Sequence, residues 1–290
     1  MSKKQVTSGT KAKKTIVNII IHIFLAILSF IWVLPIFWVV LTSFRGEKGS
    51  YVTTFFPKTY TINNYVKLFT DTSILNFPKM FMNTFIIAIF TCIISTIFVL
   101  SVSYTMSRMR FNMRKPFMNV AMILGLFPSF MSMIAVYYIL KALGLAEGSM
   151  IRIALIIVFS AGSGVGFYVA KGFFDTIPKA LDEAATIDGA TSFQVYTRII
   201  LPSIAPVMIV VGLFAFNGSW NDYLWPRIVM TDVNNQTLTA GLRLLMGQYE
   251  QRWAHMIASC LVSMVPPFLL YLCAQKYFLQ GISVQAGVKG

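Results

Sequence analysis

Six long apolar stretches dominate this sequence and limit the folds that it can adopt. They cover residues 16–41, 84–107, 117–140, 150–172, 203–226 and 254–275. A helix needs about 20 mostly apolar residues to cross the hydrocarbon core of a bilayer, and the stretch 84–107 contains no charged residue. The sequence therefore predicts an all-α, polytopic membrane protein with six transmembrane helices.

The balance of apolar and charged residues supports this prediction. Hydrophobic residues make up 57% of the chain and charged residues only 12%, whereas an average soluble domain is about 25% charged. The formal net charge is +14, which in a soluble protein would suggest a nucleic-acid partner. Here the basic residues lie mostly between the apolar stretches, so we interpret them as determinants of membrane orientation and predict no nucleic-acid binding.

The distribution of Lys and Arg predicts the orientation, because cytoplasmic loops of membrane proteins are enriched in these residues. With the N-terminus inside, the inner segments hold 14 of the 24 basic residues, and the cluster at 108–115 contributes most clearly. We therefore predict that both termini are cytoplasmic. The expected organisation is a cytoplasmic basic N-terminal segment at 1–15, a transmembrane domain at 16–280 and a cytoplasmic C-terminal tail at 281–290.

Acidic residues of the predicted inner face are concentrated in one stretch of 14 residues. It contains Asp175, Asp182, Glu183 and Asp188 with a single base, Lys179, so its net charge is −3. An anionic inner leaflet repels such a segment, which leaves it available to a soluble partner. A solvated loop with acidic residues at a helix start explains the charge equally well, and charge alone leaves both readings open.

The same loop, 174–202, carries the local signals of two short helices. Asp175 or Thr176 is suited to cap the first helix, and Gly189 offers a helix stop or a sharp turn. A second apolar segment follows, and Pro202 is expected to end it before the fifth span. The predicted helical pair would form a compact projection on the cytoplasmic side.

Seven residues of this loop have a distinctive spacing. Glu183-Ala184-Ala185 is followed by Gly189 and then by Ile199, Leu201 and Pro202. This pattern resembles the signature of permease subunits of binding-protein-dependent ATP-binding-cassette (ABC) importers. The resemblance implies a type I ABC importer permease fold in which this loop forms the coupling helix on the ATPase. Its implied docking positions are Asp182, Glu183, Ala184, Ala185, Asp188 and Gly189, supported against the membrane by Ile199, Leu201 and Pro202.

Two further segments are similar to carbohydrate permeases of that family. The run Trp220-Asn221-Asp222-Tyr223 and the C-terminal run Gln275–Gly290 resemble segments of the shorter maltose/maltodextrin-type permease, although Ser283-Val284-Gln285 stands where small residues are usual. The resemblance implies an oligosaccharide cargo. Asn217, Trp220, Asn221 and Asp222 are candidates for the translocation path or for contact with the binding protein. A polar helix end with tryptophan anchors at the interface is the alternative.

The resemblance also implies the partners. These are a second homologous permease, two ABC ATPase subunits, an extracytoplasmic sugar-binding protein and the lipid of a prokaryotic cell membrane. The chain contains no G-x-x-x-x-G-K-[ST] sequence, the usual phosphate-binding loop. We therefore expect ATP to be used by a partner ATPase, with no cofactor, metal or catalytic residue on this chain.

Three alternatives compete with this reading. The first is an importer permease for another cargo, such as glycerol phosphate or a polyol. The second is a stand-alone channel or secondary transporter, a class that often shows internal repeats and intramembrane charges. The third is a membrane-embedded enzyme, which would need polar catalytic groups clustered at one depth. The exact loop spacing favours the importer permease over the last two.

Overall fold

The computed structural model describes residues 8–47, 54–73, 75–126, 129–162, 166–230, 232, 235–246 and 249–287. Apart from an isolated bridge between Arg45 and Tyr60, the regular elements of these residues are helical. The α-helices are α1 (Ser8–Ser43), α2 (Asn63–Thr70), α3 (Phe77–Arg108), α4 (Arg114–Leu126), α5 (Ser129–Ala142), α6 (Met150–Gly162), α7 (Gly166–Thr176), α8 (Ala180–Ile187), α9 (Ser192–Val195), α10 (Leu201–Ser203), α11 (Ala205–Asn221), α12 (Leu224–Val229), α13 (Leu238–Met246) and α14 (Tyr249–Gly287). A π-helical segment, Tyr196–Ile200, joins α9 to α10.

Within the described ranges, three helical segments are long and apolar enough to cross a membrane: Lys13–Ser43, Phe77–Arg108 and Trp253–Tyr277. Three bent helix pairs pass the same test together, which gives up to six spans. Their bends are 102° between α4 and α5, 49° between α6 and α7, and 84° between the Ser192–Ser203 segment and α11. The described helices therefore agree with the six predicted spans if each bent pair crosses the membrane as one span, and in that case only three of the six are continuous helices. A proline inside a helix is expected to kink it, but Pro128 of the third predicted span lies outside the described residues.

Clustering of contacts divides the chain into two units, and α14 contributes to both. The first unit comprises Met1–Thr70 with Gln248–Leu261, and the second comprises Asp71–Gly247 with Val262–Gly290. In the first unit, α1 begins eight residues before the predicted span, within the basic segment. The most apolar window of α1 has none of its residues buried within the chain, so lipid or another protein must cover this helix.

Hydrogen bonds of Arg45 and Glu47 connect the end of α1 to residues 54–59; we call this group of contacts the clip. The Glu47 carboxylate accepts hydrogen bonds from the backbone N–H groups of Lys58 and Thr59 and pairs with the Arg45 guanidinium at 3.3 Å. Arg45 also donates to the carbonyl of Thr54 at 2.8 Å. Partial burial raises the pKa of Glu47, but the backbone donors and Arg45 outweigh that effect and hold the pKa below its ordinary value.

This clip should loosen in acid. A carboxyl group with a lowered pKa in the folded state stabilises that state above its unfolded pKa, about 4.3 for Glu, and the contribution is lost as the pH falls through the lowered value. We expect the Lys58 and Thr59 amides to exchange with deuterium faster as the pH falls below about 4, after correction for intrinsic rates. Glu47→Gln should show fast exchange already at neutral pH. Equal protection of these amides in Glu47→Gln and the unmodified chain would contradict this role.

The second unit is organised around α3, which packs against α6, α7, α11 and α13. Its described buried apolar side chains include two clusters. One cluster, which we call the loop-side core, includes Val99, Phe174, Ala185, Ile200 and Val207. The other, the far core, consists of Ile87, Ile151, Leu155, Val229 and Met230. Because Val99 and Ile87 lie three turns apart on α3, the two cores occupy different levels of the helix bundle.

Candidate functional site

The loop 174–202 folds as two short helical segments joined by a glycine turn, as the sequence predicts. Helix α8 ends at Ile187, and Gly189 follows with φ at +82°, a left-handed conformation that residues with a Cβ rarely adopt. Thr191 then begins the second segment with a reciprocal cap, in which its side chain and that of Gln194 each accept a backbone N–H.

The predicted cap of the first helix is wrong. Lys179 occupies the N-cap position of α8 without a side-chain hydrogen bond. Asp175 instead accepts a hydrogen bond from Ser107 at 2.6 Å and pairs with Lys171, and the Thr176 hydroxyl donates to the carbonyl of Phe173. Both residues belong to the end of α7, so they fasten that helix rather than start the next one.

Helix α8 has one buried face and one exposed face. Ala185 is buried in the loop-side core, whereas Ala184 and Glu183 beside it are exposed. Leu181, Ala184 and Ile187 form an exposed apolar stripe at helical spacing, and Ile187 is 86% exposed. Phe193, across the Gly189 turn, is 72% exposed. These large apolar side chains lie on a loop whose opposite side is bound to α3.

The anchor is a buried guanidinium at the end of α3. Arg108 pairs with the Asp182 carboxylate of α8 at 3.3 Å, and the Arg108 side chain is only 5% exposed. The same guanidinium donates to the carbonyl of Phe174 at 2.9 Å and to that of Ile177 at 2.8 Å. Arg108 therefore joins the end of α3, the end of α7 and the first turn of α8. A planar, multidentate donor is suited to this task.

Tyrosine contacts fasten the second segment of the loop. The Tyr104 ring lies 4.7 Å from that of Tyr196 and 6.2 Å from that of Phe174, and the Tyr104 hydroxyl donates to the carbonyl of Ser192 at 3.2 Å. Tyr196 begins the π-helical segment, a wide turn that often occurs at functional sites. These contacts hold the second segment against α3.

The three residues predicted to support the loop lie where the chain turns into the membrane span. Ile199 and Leu201 are half-buried and pack against the loop-side core, whereas Pro202 is exposed. The helix was expected to end at Pro202, but α10 continues to Ser203 and the break comes at Ile204. Ile204 itself is buried in the loop-side core.

A cavity of about 620 Å³ runs along one face of α11. The lining residues of α11 and of its C-cap are Pro206, Val207, Val210, Val211, Phe214, Ala215, Gly218, Ser219 and, at the C-cap, Asp222. They recur at intervals of three and four residues over nearly the whole helix, a length of about 24 Å at the helical rise. Val99 and Val207 join the cavity wall to the loop-side core, and Phe159 and Trp225 join it to the far core.

The four residues predicted around the end of α11 have different surroundings. Asp222 lines the cavity and accepts a hydrogen bond from the backbone N–H of Trp225 at 2.9 Å. Trp220 is buried, with its ring 5.4 Å from that of Phe216. Asn221 is exposed and donates to the carbonyl of Asn217 at 3.0 Å. Only Asp222 of these four is among the described residues that line the cavity.

Comparison with known proteins identifies the family. Residues 101–284 match the family described as "Binding-protein-dependent transport system inner membrane component". The chain belongs to this family. The matched region includes the end of α3, the whole loop 174–202, the cavity-lining face of α11 and most of α14, so the features described above are those of a permease subunit.

Curated relatives of this permease cover nearly its whole length. It is 29% identical to "Inner membrane ABC transporter permease protein YcjP" of Escherichia coli K12 over 96% of this chain and 99% of the relative. It is also 29% identical to "Galactooligosaccharides transport system permease protein GanQ" of Bacillus subtilis 168, over 97% and 98%. "Maltodextrin transport system permease protein MdxG" of the same organism is 28% identical over 93% and 95%.

A solved structure supports the fold. A chain from a "bacterial ABC transporter involved in the import of the acidic polysaccharide alginate" superposes on this permease with a TM-score of 0.75 at 20% identity. The match covers 95% of this chain and 100% of that one. The permease therefore has the fold of an ABC importer permease, as the loop spacing implied.

Sequence reasoning missed several residues of the site. Arg108 was interpreted only as an orientation charge, because an arginine after an apolar stretch is typical of a cytoplasmic boundary. Tyr104 was an unremarked residue of a span. The described residues contain no group of three or more His, Cys, Asp or Glu side chains arranged to hold a metal ion.

Proposed function

We propose that this permease forms half of the translocation path of an ATP-driven importer for an oligosaccharide. A maltodextrin-like sugar or a related one fits the curated relatives, which include permeases named for maltodextrin, galactooligosaccharide and arabinooligosaccharide transport. The proposed path is completed by a second, homologous permease. An extracytoplasmic sugar-binding protein delivers the cargo, and two ABC ATPase subunits dock on the cytoplasmic side.

The exposed apolar stripe of α8 carries the docking proposal. Leu181, Ala184 and Ile187 present apolar surface beside the acidic Glu183 and Asp188, while Ala185 and Asp182 hold the helix from behind. An apolar patch with a charged rim is typical of a protein interface. We infer that this face binds the ATPase, and that both chain termini lie on the same, cytoplasmic side.

The proposed mechanism is alternating access. Closure of the ATPase dimer on ATP draws the two coupling loops together and opens the path outward, and hydrolysis resets the complex. Such a ligand-driven transition requires two states that ATP binds with different affinity. The permease itself carries out no covalent step. Its contribution is to convert movement of α8 into movement of the spans that line the path.

Purification of the tagged permease in mild detergent from its own host tests the assembly. We expect a second permease and an ABC ATPase to co-purify, and the reconstituted complex with its binding protein to take up an oligosaccharide only with ATP. Uptake by the isolated permease without nucleotide would instead support a secondary transporter. ATP-driven uptake of glycerol phosphate or a polyol, in preference to sugar, would support the alternative cargo.

Two substitutions in the docking loop should uncouple transport from ATP. Glu183→Lys reverses an exposed charge on the proposed docking face, and Gly189→Asp adds a carboxylate and a Cβ at a turn with φ at +82°. We expect both variants to insert into the membrane but to lose at least about nine-tenths of ATP-dependent uptake, since a lost interface anchor weakens binding by about 2 kcal/mol or more. Glu147→Lys, on another exposed residue, is the matched control. Full uptake by Glu183→Lys and Gly189→Asp would refute the docking role.

A further inference from the structure

Several hydroxyl groups of α3 bond within the helix itself. Thr84, Ser103 and Thr105 each donate a hydrogen bond to the carbonyl four residues earlier, at 2.9, 2.6 and 3.0 Å. This is the usual way for a helix to satisfy a hydroxyl that is shielded from water. The buried hydroxyls of Thr91, Ser95 and Thr96 make no such bond among the described residues, and of these three only Thr91 and Ser95 line the cavity along α11.

These two hydroxyls are also deeply buried and lie at the cavity. Thr91 is 2% exposed and Ser95 is 1% exposed, yet both line the cavity along α11. An unpaired buried hydroxyl costs about 1–3 kcal/mol, so a fold seldom leaves two of them together without a partner from outside the chain. Their spacing of four residues places them on one line of the helix, with Cβ atoms about 5–6 Å apart.

The surrounding wall indicates what that partner is. Most of the wall is apolar, including Phe159, Phe214 and Trp225, and Asp222 is the one charged side chain among its described residues. An acyl chain would leave the two hydroxyls unpaired, and a metal ion would need more carboxylates. A sugar ring has apolar C–H faces for aromatic and valine side chains and hydroxyl groups for Thr91, Ser95 and Asp222.

We propose that Thr91 and Ser95 form a hydroxyl-binding subsite for the cargo as it passes along the cavity, with Asp222 as a third polar contact at the α12 end. The subsite rests on the proposed function, because it takes the cargo to be a sugar. It assigns cargo contact to two residues in the middle of α3, outside the docking loop, in addition to Asp222 of the Trp220–Tyr223 segment.

The test uses the reconstituted complex and a labelled oligosaccharide that the unmodified complex imports, chosen from maltotriose and galactotriose. Thr91→Val removes one hydroxyl and keeps the side-chain volume, and Ser95→Ala removes the other. We expect the double variant to import at least about fivefold more slowly, which corresponds to one lost hydrogen bond of about 1 kcal/mol. Thr91→Ser, which keeps a hydroxyl, should retain most of the activity.

Thermal unfolding of the detergent-solubilised complex separates this role from a structural one. Because the two hydroxyls have no partner within the described chain, the double variant should have an unfolding midpoint equal to or above that of the unmodified complex. Thr105→Val is the matched control on the same helix, since its hydroxyl bonds within α3 and lies outside the cavity wall. It should import normally.

Three outcomes would overturn the subsite. Unchanged import by the double variant would refute the subsite but not the proposed function. Slower import with an unfolding midpoint lowered in step would assign the hydroxyls a structural role. Failure of the unmodified complex to import any oligosaccharide would refute the proposed function, and the subsite with it.

Discussion

Gly218→Leu is expected to reduce oligosaccharide import at least tenfold while leaving the complex assembled. Gly218 lines the cavity on α11, and a Cβ built there meets no atom within 4 Å. The Cβ of a leucine therefore fits at this position without contact, and the rest of the side chain would take up space that the cavity now leaves open. Because leucine is also a better helix former than glycine by about 0.8–1 kcal/mol, the substitution should not weaken α11 itself.

The control for this variant is Gly172→Leu. Gly172 is an exposed helical glycine of α7, its Cβ would also meet no atom within 4 Å, and it is absent from the cavity wall. Import measured in proteoliposomes, with co-purification of the ATPase as the check on assembly, compares the two variants directly. Import by Gly218→Leu at the rate of the Gly172→Leu complex would show that cargo does not use this cavity.

Arg108→Ala should detach the first helix of the proposed docking loop, α8, from α3. The substitution leaves Asp182 without its ion-pair partner and removes two hydrogen bonds to the carbonyls of Phe174 and Ile177. Breaking a buried pair typically costs about 3–5 kcal/mol, and the lower end applies here because the Asp182 side chain is 22% exposed. We expect ATP hydrolysis by the assembled complex to continue, but its stimulation by loaded binding protein and the import of cargo to fall at least tenfold.

Two further variants define what the guanidinium contributes. Arg108→Lys keeps the charge beside Asp182 but cannot reproduce the several fixed donors, so it should recover only part of the import. Arg110→Ala removes a neighbouring, exposed arginine and should import normally. Full import by Arg108→Ala would contradict the role of this residue as the link. Loss of assembled complex in Arg108→Ala but not in Arg108→Lys would show that the link acts in folding.

The sequence predicted the structure best in the loop 174–202, where the local preference of glycine for helix ends coincides with the fixed spacing of the motif. Gly189 was predicted to stop a helix, and its positive φ confirms this. The six apolar stretches were located from hydropathy alone, but the breaks within three of them were not, because a bent pair has the same composition as a straight helix. The break at Ile204 lies two residues beyond the proline that marked it.

Contacts between distant residues could not be predicted from the sequence, for a physical reason. Arg108 and Asp182 are 74 positions apart, and no local pattern distinguishes an arginine that binds a distant carboxylate from one that orients a span. The four-residue spacing between Thr91 and Ser95 also separates Ser103 from Ser107 on the same helix. Whether a hydroxyl bonds to its own helix or faces a cavity depends on the neighbouring helices, which a single sequence does not reveal.

The bend at Ile204 has a mechanical consequence. The Ser192–Ser203 segment meets α11 at 84°, so a load applied along that segment acts across the axis of α11 and produces torque instead of compression. Helix α11 contains 17 residues, a rod of about 25 Å. Displacing its base by about 3 Å, with the other end held, would tilt such a rod by about 7°. The near-right angle thus converts a displacement of the Ser192–Ser203 segment into a rotation of α11.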